Sequence, residues 1–369
     1  MKRKIAVVTG TRADYGIYLP VLKAIQRSSK LDLSLIVTGM HLSETFGHTV
    51  DEIEKDGFSI DAKIPLGLLE DSGASMALDV GICILGLTDA LKKIKPDILL
   101  VLGDRGEMLA TTIAGIYMNI PVAHLHGGEV SGTVDESIRH AITKLSHIHF
   151  PATEESAERI RNLGEDEFRI YVVGAPALDT ILSETFVPKE EMGHFFDIDI
   201  NKPIILVVQH PVTTEVGAVE RHIRETMDAV VELGEQTVVI YPNADAGGRK
   251  IIETIEQYRN YAFIKIFKNI RHVDYLSLMR TTNVMVGNSS SGIIEAPSFG
   301  LPVVNIGTRQ TGRQRGQNTI DVDYDKDEII KAIKVGLYDK DFKRKASKCI
   351  SPYGNGHAGT AIAEILESI

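Results

Sequence analysis

The sequence predicts an α/β protein made of two doubly wound, Rossmann-like domains, and three observations predict it. The chain has 369 residues, more than one compact core of the usual size holds. Short apolar runs that close on Gly or Asp alternate with helical stretches, which is typical of buried parallel strands and their crossover helices. The alternation pauses after residue 175 and restarts at residue 203, so we expect the same architecture twice.

The first half contains five predicted strands and two clear helices. Each strand is an apolar, β-rich run bounded by turn residues, and each helix carries apolar residues at helical spacing. The strands are Lys4–Gly10, Asp32–Gly39, Asp97–Asp104, Pro121–Gly128 and Arg169–Gly174, and the helices are Tyr15–Ser28 and Ala74–Ile94.

The second half repeats the pattern with five more strands. They are Pro203–Pro211, Gln236–Asn243, Phe263–Phe267, Asn283–Gly287 and Leu301–Gly307. We therefore expect an N-terminal domain over residues 1–175, a linker over 176–202, a C-terminal domain over 203–355 and a C-terminal helix over 356–369 whose docking site stays open.

Charge and cysteine content exclude some classes of protein. The chain has 40 Lys and Arg against 50 Asp and Glu, a formal net charge of -10, which argues against a general nucleic-acid binder because such proteins need a basic surface. Two cysteines cannot form a disulfide framework and fit a reducing, cytoplasmic setting. The N-terminal apolar run is too short for a signal peptide, and we expect no apolar stretch near the roughly 18–20 residues of a membrane helix.

Two glycine-containing loops follow predicted strands, where ligands bind in open parallel sheets. Thr9–Gly16 has Arg12 and a helix start suited to phosphate, although a tight turn capped by Asp14 is an equal alternative. Gly287–Gly292 offers Ser289, Ser290 and Gly292 as a diphosphate cradle, with Glu295 placed to reach a ribose. The alternative there is a serine-rich helix cap without a ligand.

A basic loop and a histidine extend this set in the second domain. Gly307–Gly316 carries three arginines among glycines, Arg309 first, which in an acidic protein indicates a local anion; a solvated basic loop is the alternative. His210 ends the first strand of the domain and is placed to donate to a phosphate or sugar oxygen, although a lone histidine there is often structural.

Acid–base residues collect at strand ends of the first domain. Asp104 and His126 each follow a strand, and Asp135 begins the next helical stretch. They are candidates for proton transfer at carbon. A buried charge network is the alternative, because Asp135 and Arg139 are spaced for an i,i+4 pair. Since no Cys or carboxylate spacing completes a zinc pattern around the histidines, we expect no metal.

Taken together, these motifs resemble the UDP-N-acetylglucosamine 2-epimerases, in particular their hydrolysing branch. The resemblance runs from Thr9 to about Asn318. Its motifs are GTRADYG at Gly10–Gly16, GDR at Gly103–Arg105, GGEVSGTVDESIRHAITKLSH at Gly127–His147, QHPVT at Gln209–Thr213, GNSSSG at Gly287–Gly292 and GTRQTGR at Gly307–Arg313.

The resemblance implies a GT-B architecture, two domains facing a central cleft with nucleotide held mainly by the second. It implies no nicotinamide or other cofactor, no required metal, and a homodimer or homotetramer. By position, Asp104 and Asp135 match the family's catalytic carboxylates. The family's UDP-binding residues are matched by Arg12, His210, Ser289, Ser290, Glu295 and Arg309.

One position departs from the family pattern and leaves the substrate open. Many members have Glu before the glycine pair, in HxEGGE, whereas this chain has His126 in HLHGGE; histidine also transfers protons near neutral pH. The resemblance implies conversion of UDP-N-acetylglucosamine and water to N-acetylmannosamine and UDP, for sialic-acid-type sugars. The alternatives are a UDP-2,4-diacetamido-2,4,6-trideoxyglucose or GDP-linked substrate, as in legionaminic-acid synthesis, a non-hydrolysing epimerase, a glycosyltransferase, and a non-catalytic nucleotide-sugar sensor.

Overall fold

The computed structural model describes residues 2–44, 48–67, 72–132, 134–183 and 185–369, and the chain forms two compact units. The first comprises Met1–Val130, Val134–Leu182 and Tyr353–Ile369, and the second comprises Ser131–Thr133 and Ser183–Pro352. Each unit is built on one six-stranded sheet whose strands pair in parallel. The expected pair of Rossmann-like α/β domains is therefore confirmed. We call them the N-terminal and C-terminal domains.

The N-terminal sheet has the strand order β3-β2-β1-β4-β5-β6. Its strands are β1 (Arg3–Thr9), β2 (Leu31–Thr38), β3 (Ile60–Ile64), β4 (Ile98–Leu102), β5 (Val122–Leu125) and β6 (Ile148–Phe150). The central strands are buried on both faces, Ile5 and Val7 facing one apolar cluster and Ala6 and Val8 the other. This burial explains why four of these strands were predictable as continuous apolar runs.

The predicted strand Arg169–Gly174 is wrong. Within these described residues only Ile170 makes a bridge, with His149. The run is apolar because Ile170 packs against Ala157 and Ile160. The sheet instead contains β3 and β6, which the sequence analysis missed.

Helices cover both faces of the N-terminal sheet. They are α1 (Arg12–Arg27), α2 (Val50–Lys55), α3 (Gly73–Ile94), α4 (Gly106–Tyr117), α5 (Val134–Leu145), α6 (Glu154–Asn162) and α7 (Ala177–Ser183). The two predicted helices correspond to α1 and α3. The carboxyl ends of β4 and β5 are adjacent, because Leu102 pairs with Leu125.

Helix α3 corrects the expectation about apolar stretches. It has 22 residues and a mean hydropathy of 1.6 in its most apolar window, so among the described residues it is the one helix that could cross a membrane by length and composition. Its inner face is part of the domain core, since Cys83 and Leu87 are fully buried in the cluster shared with α4. Asp79, whose carboxylate accepts the Gly67 N–H at 2.8 Å, interrupts the apolar run in the sequence.

Helix α3 also has an exposed apolar face. Leu78, Ile82 and Leu85, spaced by four and three residues, are exposed by 70%, 43% and 72%. We call these three side chains the outer face of α3.

The C-terminal sheet has the order β12-β11-β10-β7-β8-β9. Its strands are β7 (Ile204–Val208), β8 (Gln236–Ile240), β9 (Ile264–Phe267), β10 (Val284–Gly287), β11 (Val303–Ile306) and β12 (Thr319–Val322). The five predicted strands are confirmed, and the edge strand β12 was missed.

The helices after α7 are α8 (Lys189–Phe196), α9 (Val219–Leu233), α10 (Gly248–Glu256), α11 (His272–Thr281), α12 (Ser291–Ile294), α13 (Lys326–Tyr338) and α14 (Lys340–Ser347).

The final helix, α15 (Ala358–Ser368), belongs to the N-terminal domain. It packs on α1 so closely that a Cβ on Gly359 would lie 2.8 Å from the Pro20 carbonyl carbon. The Asp179 carboxylate accepts the N–H groups of Ala358 at 2.9 Å and Gly359 at 2.7 Å, which caps the helix start. The sequence left this docking site open, and the structure places it on α1.

Candidate active site

Two acid–base candidates of the N-terminal domain, Asp104 and His126, lie at the adjacent ends of β4 and β5. Asp104 and His126 each lie two residues or less beyond a strand, and Asp135 lies in the first turn of α5. Arg139, one turn further along α5, is buried at 4% exposure. Its guanidinium donates to the Asp104 carboxylate and, at 3.0 Å, to the Glu129 carbonyl. The arginine therefore ties the two strand ends together.

His126 has an unusual backbone and a buried ring. Its φ is +58°, a left-handed conformation that non-glycine residues rarely adopt. Its Nδ1 lies 2.6 Å from Glu129 Oε1, and the two side chains are 7% and 2% exposed. Within the part of the chain that the structure describes, His126 Nε2 is buried without a hydrogen-bond partner.

The turn after His126 depends on its second glycine. Gly128 has φ +75°, and a Cβ there would lie 2.2 Å from the Ser156 carbonyl oxygen. The Gly128 carbonyl accepts a hydrogen bond from Arg159 at 3.2 Å. The glycine thus allows α6 to approach the turn that presents His126.

His124, two residues earlier, is a structural residue. Its Nε2 lies 2.7 Å from the Gly103 carbonyl and its Nδ1 lies 3.1 Å from Thr143 Oγ1. The carbonyl only accepts, so Nε2 carries the proton. Burial lowers the pKa of His124 to about 3, and the ring is neutral at physiological pH.

The first glycine loop is a helix cap. Asp14 accepts the N–H groups of Thr11 at 3.0 Å and Gly10 at 3.2 Å, and Thr11 Oγ1 accepts the Asp14 N–H at 3.2 Å. This capping box engages two of the backbone groups that a phosphate cradle would use. Arg12 begins α1 beside the cap, with a partly exposed side chain.

Two buried polar groups beside this loop were not predicted from the sequence. Glu107 is 7% exposed, and its Oε1 would lie 2.9 Å and 2.7 Å from a Cβ on Gly10 and Gly39. His41 contacts Thr9 and Thr49 through its two ring nitrogens, and burial lowers its pKa to about 3. Glu107 fits beside Gly10 and Gly39 because neither residue has a Cβ. This close approach is visible only in the folded structure.

In the C-terminal domain, Asn288 organises the predicted nucleotide-binding residues. Its Oδ1 accepts the His210 N–H at 2.7 Å and its Nδ2 donates to the His210 carbonyl at 2.9 Å. Its own carbonyl accepts Arg309 at 3.1 Å and Gln310 at 2.8 Å. Three predicted segments, the ends of β7, β10 and β11, therefore meet at one buried amide.

The His210 ring is oriented by the next strand end. The Asn243 N–H donates to His210 Nδ1 at 3.1 Å. Because Nδ1 accepts, a neutral ring carries its proton on Nε2. His210 therefore has the tautomer required of a donor to an anionic oxygen.

The serine loop starts α12. Gly287 has φ +130°, and a Cβ there would lie 2.1 Å from the Val208 carbonyl oxygen, so only glycine fits where β10 passes β7. Ser290 is the residue before the helix, and Ser289 Oγ accepts the Ser291 N–H at 3.3 Å. Glu295 follows the helix and is 6% exposed.

The basic loop after β11 is mostly engaged in its own structure. Arg313 donates to the Gln310 side chain at 2.9 Å, and Arg315 donates to the Gln310 carbonyl at 2.7 Å and to Asp321. The solvated-loop alternative therefore does not describe these arginines. Their hydrogen bonds stabilise the loop from which Arg309 donates to the Asn288 carbonyl.

Comparison with known proteins places the chain in a family. The family model described as UDP-N-acetylglucosamine 2-epimerase matches residues 23–367. The chain is 44% identical to a "UDP-N,N'-diacetylbacillosamine 2-epimerase (hydrolyzing)" of Legionella pneumophila, covering 100% of this chain and 97% of that protein. It is 37% identical to a UDP-N-acetylglucosamine 2-epimerase of Neisseria meningitidis, covering 90% and 86%.

Solved structures support the fold. A UDP-GlcNAc 2-epimerase from Neisseria meningitidis, solved with UDP-GlcNAc bound, superposes with a TM-score of 0.83 at 21% identity, covering 99% of this chain and all of that one. This likeness and the two parallel sheets confirm two Rossmann-like domains of the GT-B class. From the family model and the relatives that match nearly its whole length, the chain belongs to the UDP-N-acetylglucosamine 2-epimerase family, in the branch of hydrolysing nucleotide-sugar 2-epimerases.

Proposed function

We propose that the chain releases UDP from a UDP-linked 2-acetamido sugar and inverts the sugar at C2. A base removes the C2 proton while the bond from C1 to the diphosphate oxygen breaks, and its electron pair leaves with UDP. The resulting C1=C2 double bond makes a 2-acetamidoglucal. Water then adds at C1, and a proton returns to C2 from the opposite face. The observation that carries this proposal is the cluster of polar side chains at the ends of β4 and β5, where Arg139 contacts Asp104 and Glu129, and Glu129 contacts buried His126.

Asp104, His126 and Asp135 are the proposed proton-transfer groups. Asp104 is anchored by Arg139, and His126 is held by Glu129 with one ring nitrogen left for a substrate. Asp135 lies in the first turn of α5, the helix that carries Arg139. Proton transfer by such positioned groups accelerates reactions by about 10²–10⁴-fold each.

The proposed UDP-binding residues lie around Asn288. His210 would donate through Nε2, and Arg309 would supply positive charge to the departing diphosphate. Ser289, Ser290 and Gly292 would contact phosphate oxygens, and Glu295 would accept from a ribose hydroxyl. Arg12 is the proposed contribution of the N-terminal domain.

For the sugar we propose UDP-N,N'-diacetylbacillosamine, the 2,4-diacetamido-2,4,6-trideoxyglucose derivative. Support comes from the Legionella relative at 44% identity and from a Campylobacter jejuni relative at 39%, named "GDP/UDP-N,N'-diacetylbacillosamine 2-epimerase (hydrolyzing)". UDP-N-acetylglucosamine is the second candidate, favoured by the Neisseria relative at 37%. The first would place the enzyme in legionaminic-acid synthesis and the second in sialic-acid synthesis.

A nucleotide-sugar panel tests the proposal. UDP-N,N'-diacetylbacillosamine, its GDP analogue and UDP-N-acetylglucosamine are each assayed for free nucleotide, and the products are identified by NMR. In deuterated water we expect deuterium at C2 of the product and one free UDP per sugar converted. A product without the label would exclude elimination. Product formed without free nucleotide would indicate the non-hydrolysing reaction, and UDP binding without turnover would indicate a sensor.

We also propose that two copies associate through the outer face of α3. The helix is about 33 Å long at 1.5 Å per residue, and no charged side chain is exposed between Gly73 and Thr88. A two-fold axis between Gly81 and Ile82 would pair Leu78 of one copy with Leu85 of the other, and Gly81 would allow a close approach. A stable interface needs about 800 Å² per copy, so neighbouring surface must contribute.

A cytoplasmic setting stays our expectation, supported by the free thiols of Cys83 and Cys349.

A further inference from the structure

We propose that Glu129 is a positioning residue that holds His126 with its proton on Nδ1, so that Nε2 is the atom that exchanges the proton with C2 of the sugar. The proposal rests on the proposed function and deepens it. It adds a residue to the candidate site and decides which atom of His126 acts.

The first support is the contact between the two side chains. Glu129 Oε1 lies 2.6 Å from His126 Nδ1, slightly shorter than the roughly 2.7–2.9 Å typical of a charge-assisted hydrogen bond from nitrogen to a carboxylate. An ionised carboxylate only accepts hydrogen bonds, so Nδ1 must be the donor. The neutral ring therefore has its lone pair on Nε2, which is the atom a base needs.

The second support is the burial of the pair and the unpartnered state of the second ring nitrogen. The side chains are 7% and 2% exposed, so solvent screens their attraction little. Among the described residues, Nε2 is buried and has no protein partner. A buried ring nitrogen without a partner is costly, and a substrate hydrogen would meet it.

The third support is the backbone that presents the ring. His126 is held at φ +58°, a conformation that costs of order 1–3 kcal/mol and persists only where surrounding contacts enforce it. Here the turn is fixed on both sides, since Arg159 donates to the Gly128 carbonyl and Arg139 to the Glu129 carbonyl. The ring direction is thus set by its carboxylate and its backbone together.

The proposed step is a balanced proton transfer. His126 Nε2 takes the proton from C2 as the C1–O bond to the diphosphate breaks, and the C2–H electron pair becomes the C1=C2 double bond. The resulting imidazolium keeps its Nδ1–H bond to Glu129, whose negative charge stabilises it. Among the described residues, the ionisable groups close to this turn include neutral His124, Arg139 with its partner Asp104, and Arg159.

The test compares Glu129→Gln with a matched control, Glu165→Gln. Glu165 is also a buried carboxylate beside a histidine in the same domain, 3.3 Å from His149 and 4% exposed, but it lies outside the candidate site. Both variants lose a buried carboxylate. We expect Glu129→Gln to lower kcat by about 100-fold or more while KM changes by less than about threefold, and Glu165→Gln to keep kcat near that of the wild type.

The pH dependence of kcat separates positioning from a structural role. In Glu129→Gln the acidic limb should move to lower pH, because the imidazolium has lost its carboxylate. Glu129→Asp, which keeps the charge, should keep the limb near its wild-type position. A Glu129→Gln variant with wild-type kcat, or with an unmoved acidic limb, would overturn the proposal.

A spectroscopic test on the wild-type protein needs no variant and no substrate. ¹⁵N NMR of the labelled imidazole should show the Nδ1–H tautomer of His126 at neutral pH. The Nε2–H tautomer would overturn the proposal whatever the activity is. If the wild type releases no nucleotide from any sugar, the proposed function fails, and this measurement still decides the role of Glu129.

Discussion

Replacing Asp104 with Asn tests the proton-transfer set most directly. Asn keeps the shape of the side chain and one oxygen acceptor for Arg139, but it removes the charge and the basic oxygen. Arg139 is 5% exposed and Asp104 is 21% exposed. A hydrogen bond to a charged group contributes about 1.5–3 kcal/mol and a neutral one about 1 kcal/mol. With partial solvent screening, we expect a loss of about 1 kcal/mol in unfolding free energy.

The expected effect of this variant on catalysis is much larger. Loss of a proton-transfer group lowers kcat by about 10²–10⁴-fold, or about 3–5 kcal/mol of activation free energy. Its UDP affinity by calorimetry should stay within about threefold, because most of the proposed UDP contacts lie in the C-terminal domain. Asp97→Asn is the control, since Asp97 precedes the amino end of the same strand, where it accepts the Lys4 N–H. A kcat for Asp104→Asn within tenfold of wild type would refute the assignment.

Three further predictions concern stability and association. Gly287→Ala should lower the unfolding free energy of the C-terminal domain by about 3 kcal/mol or more in urea titrations, because its Cβ would overlap the Val208 carbonyl; Gly217→Ala, with open space around its Cβ, is the control, and equal midpoints would contradict the steric argument. Both His41 and His124 have pKa values lowered to about 3 by burial, so the unfolded chain binds more protons below pH 6.5 and stability falls as pH drops from 6.5 toward 3. We expect a loss of about 2 kcal/mol per histidine at pH 5, and thermal melts with no decline between pH 7 and pH 5 would disprove it. Leu78→Glu should shift the protein to monomers in analytical ultracentrifugation while Ile350→Glu, at another exposed apolar site, should not; an unchanged mass would contradict the α3 interface.

The missed strands β3, β6 and β12 all lie at sheet edges, whereas most of the predicted strands lie inside a sheet. Runs such as Ile204–Val208 are buried throughout, so their apolar sequence is continuous. The edge strand β3 alternates between half-buried and exposed residues until the buried Ile64, and β12 has no buried residue. Their sequences carry Asp and Lys that a half-exposed strand tolerates, and β6 has only three residues.

The sequence indicated candidate positions for the site, but it did not indicate which side chains contact each other. Asp104 and His126 were predicted as candidates because strand ends face ligands in parallel sheets. The pairing of Asp104 with Arg139 joins residues 35 apart in sequence, whereas spacing suggested Asp135 as the partner. The contact between His126 and Glu129 is made by a histidine with a left-handed backbone conformation. No pattern in the sequence predicts that conformation.

The docking of α15 on α1 has a consequence for synthesis on the ribosome. The chain leaves the N-terminal domain after Leu182 and rejoins it at Tyr353, so the last piece of the first domain is translated after the entire second one. Until Ala358–Ser368 emerges from the ribosome, α15 does not cover the surface of α1 around Pro20. That apolar surface therefore stays exposed in the nascent chain. Ribosome stalling late in the message would therefore expose α1 to chaperones even though every strand of both sheets had already been made.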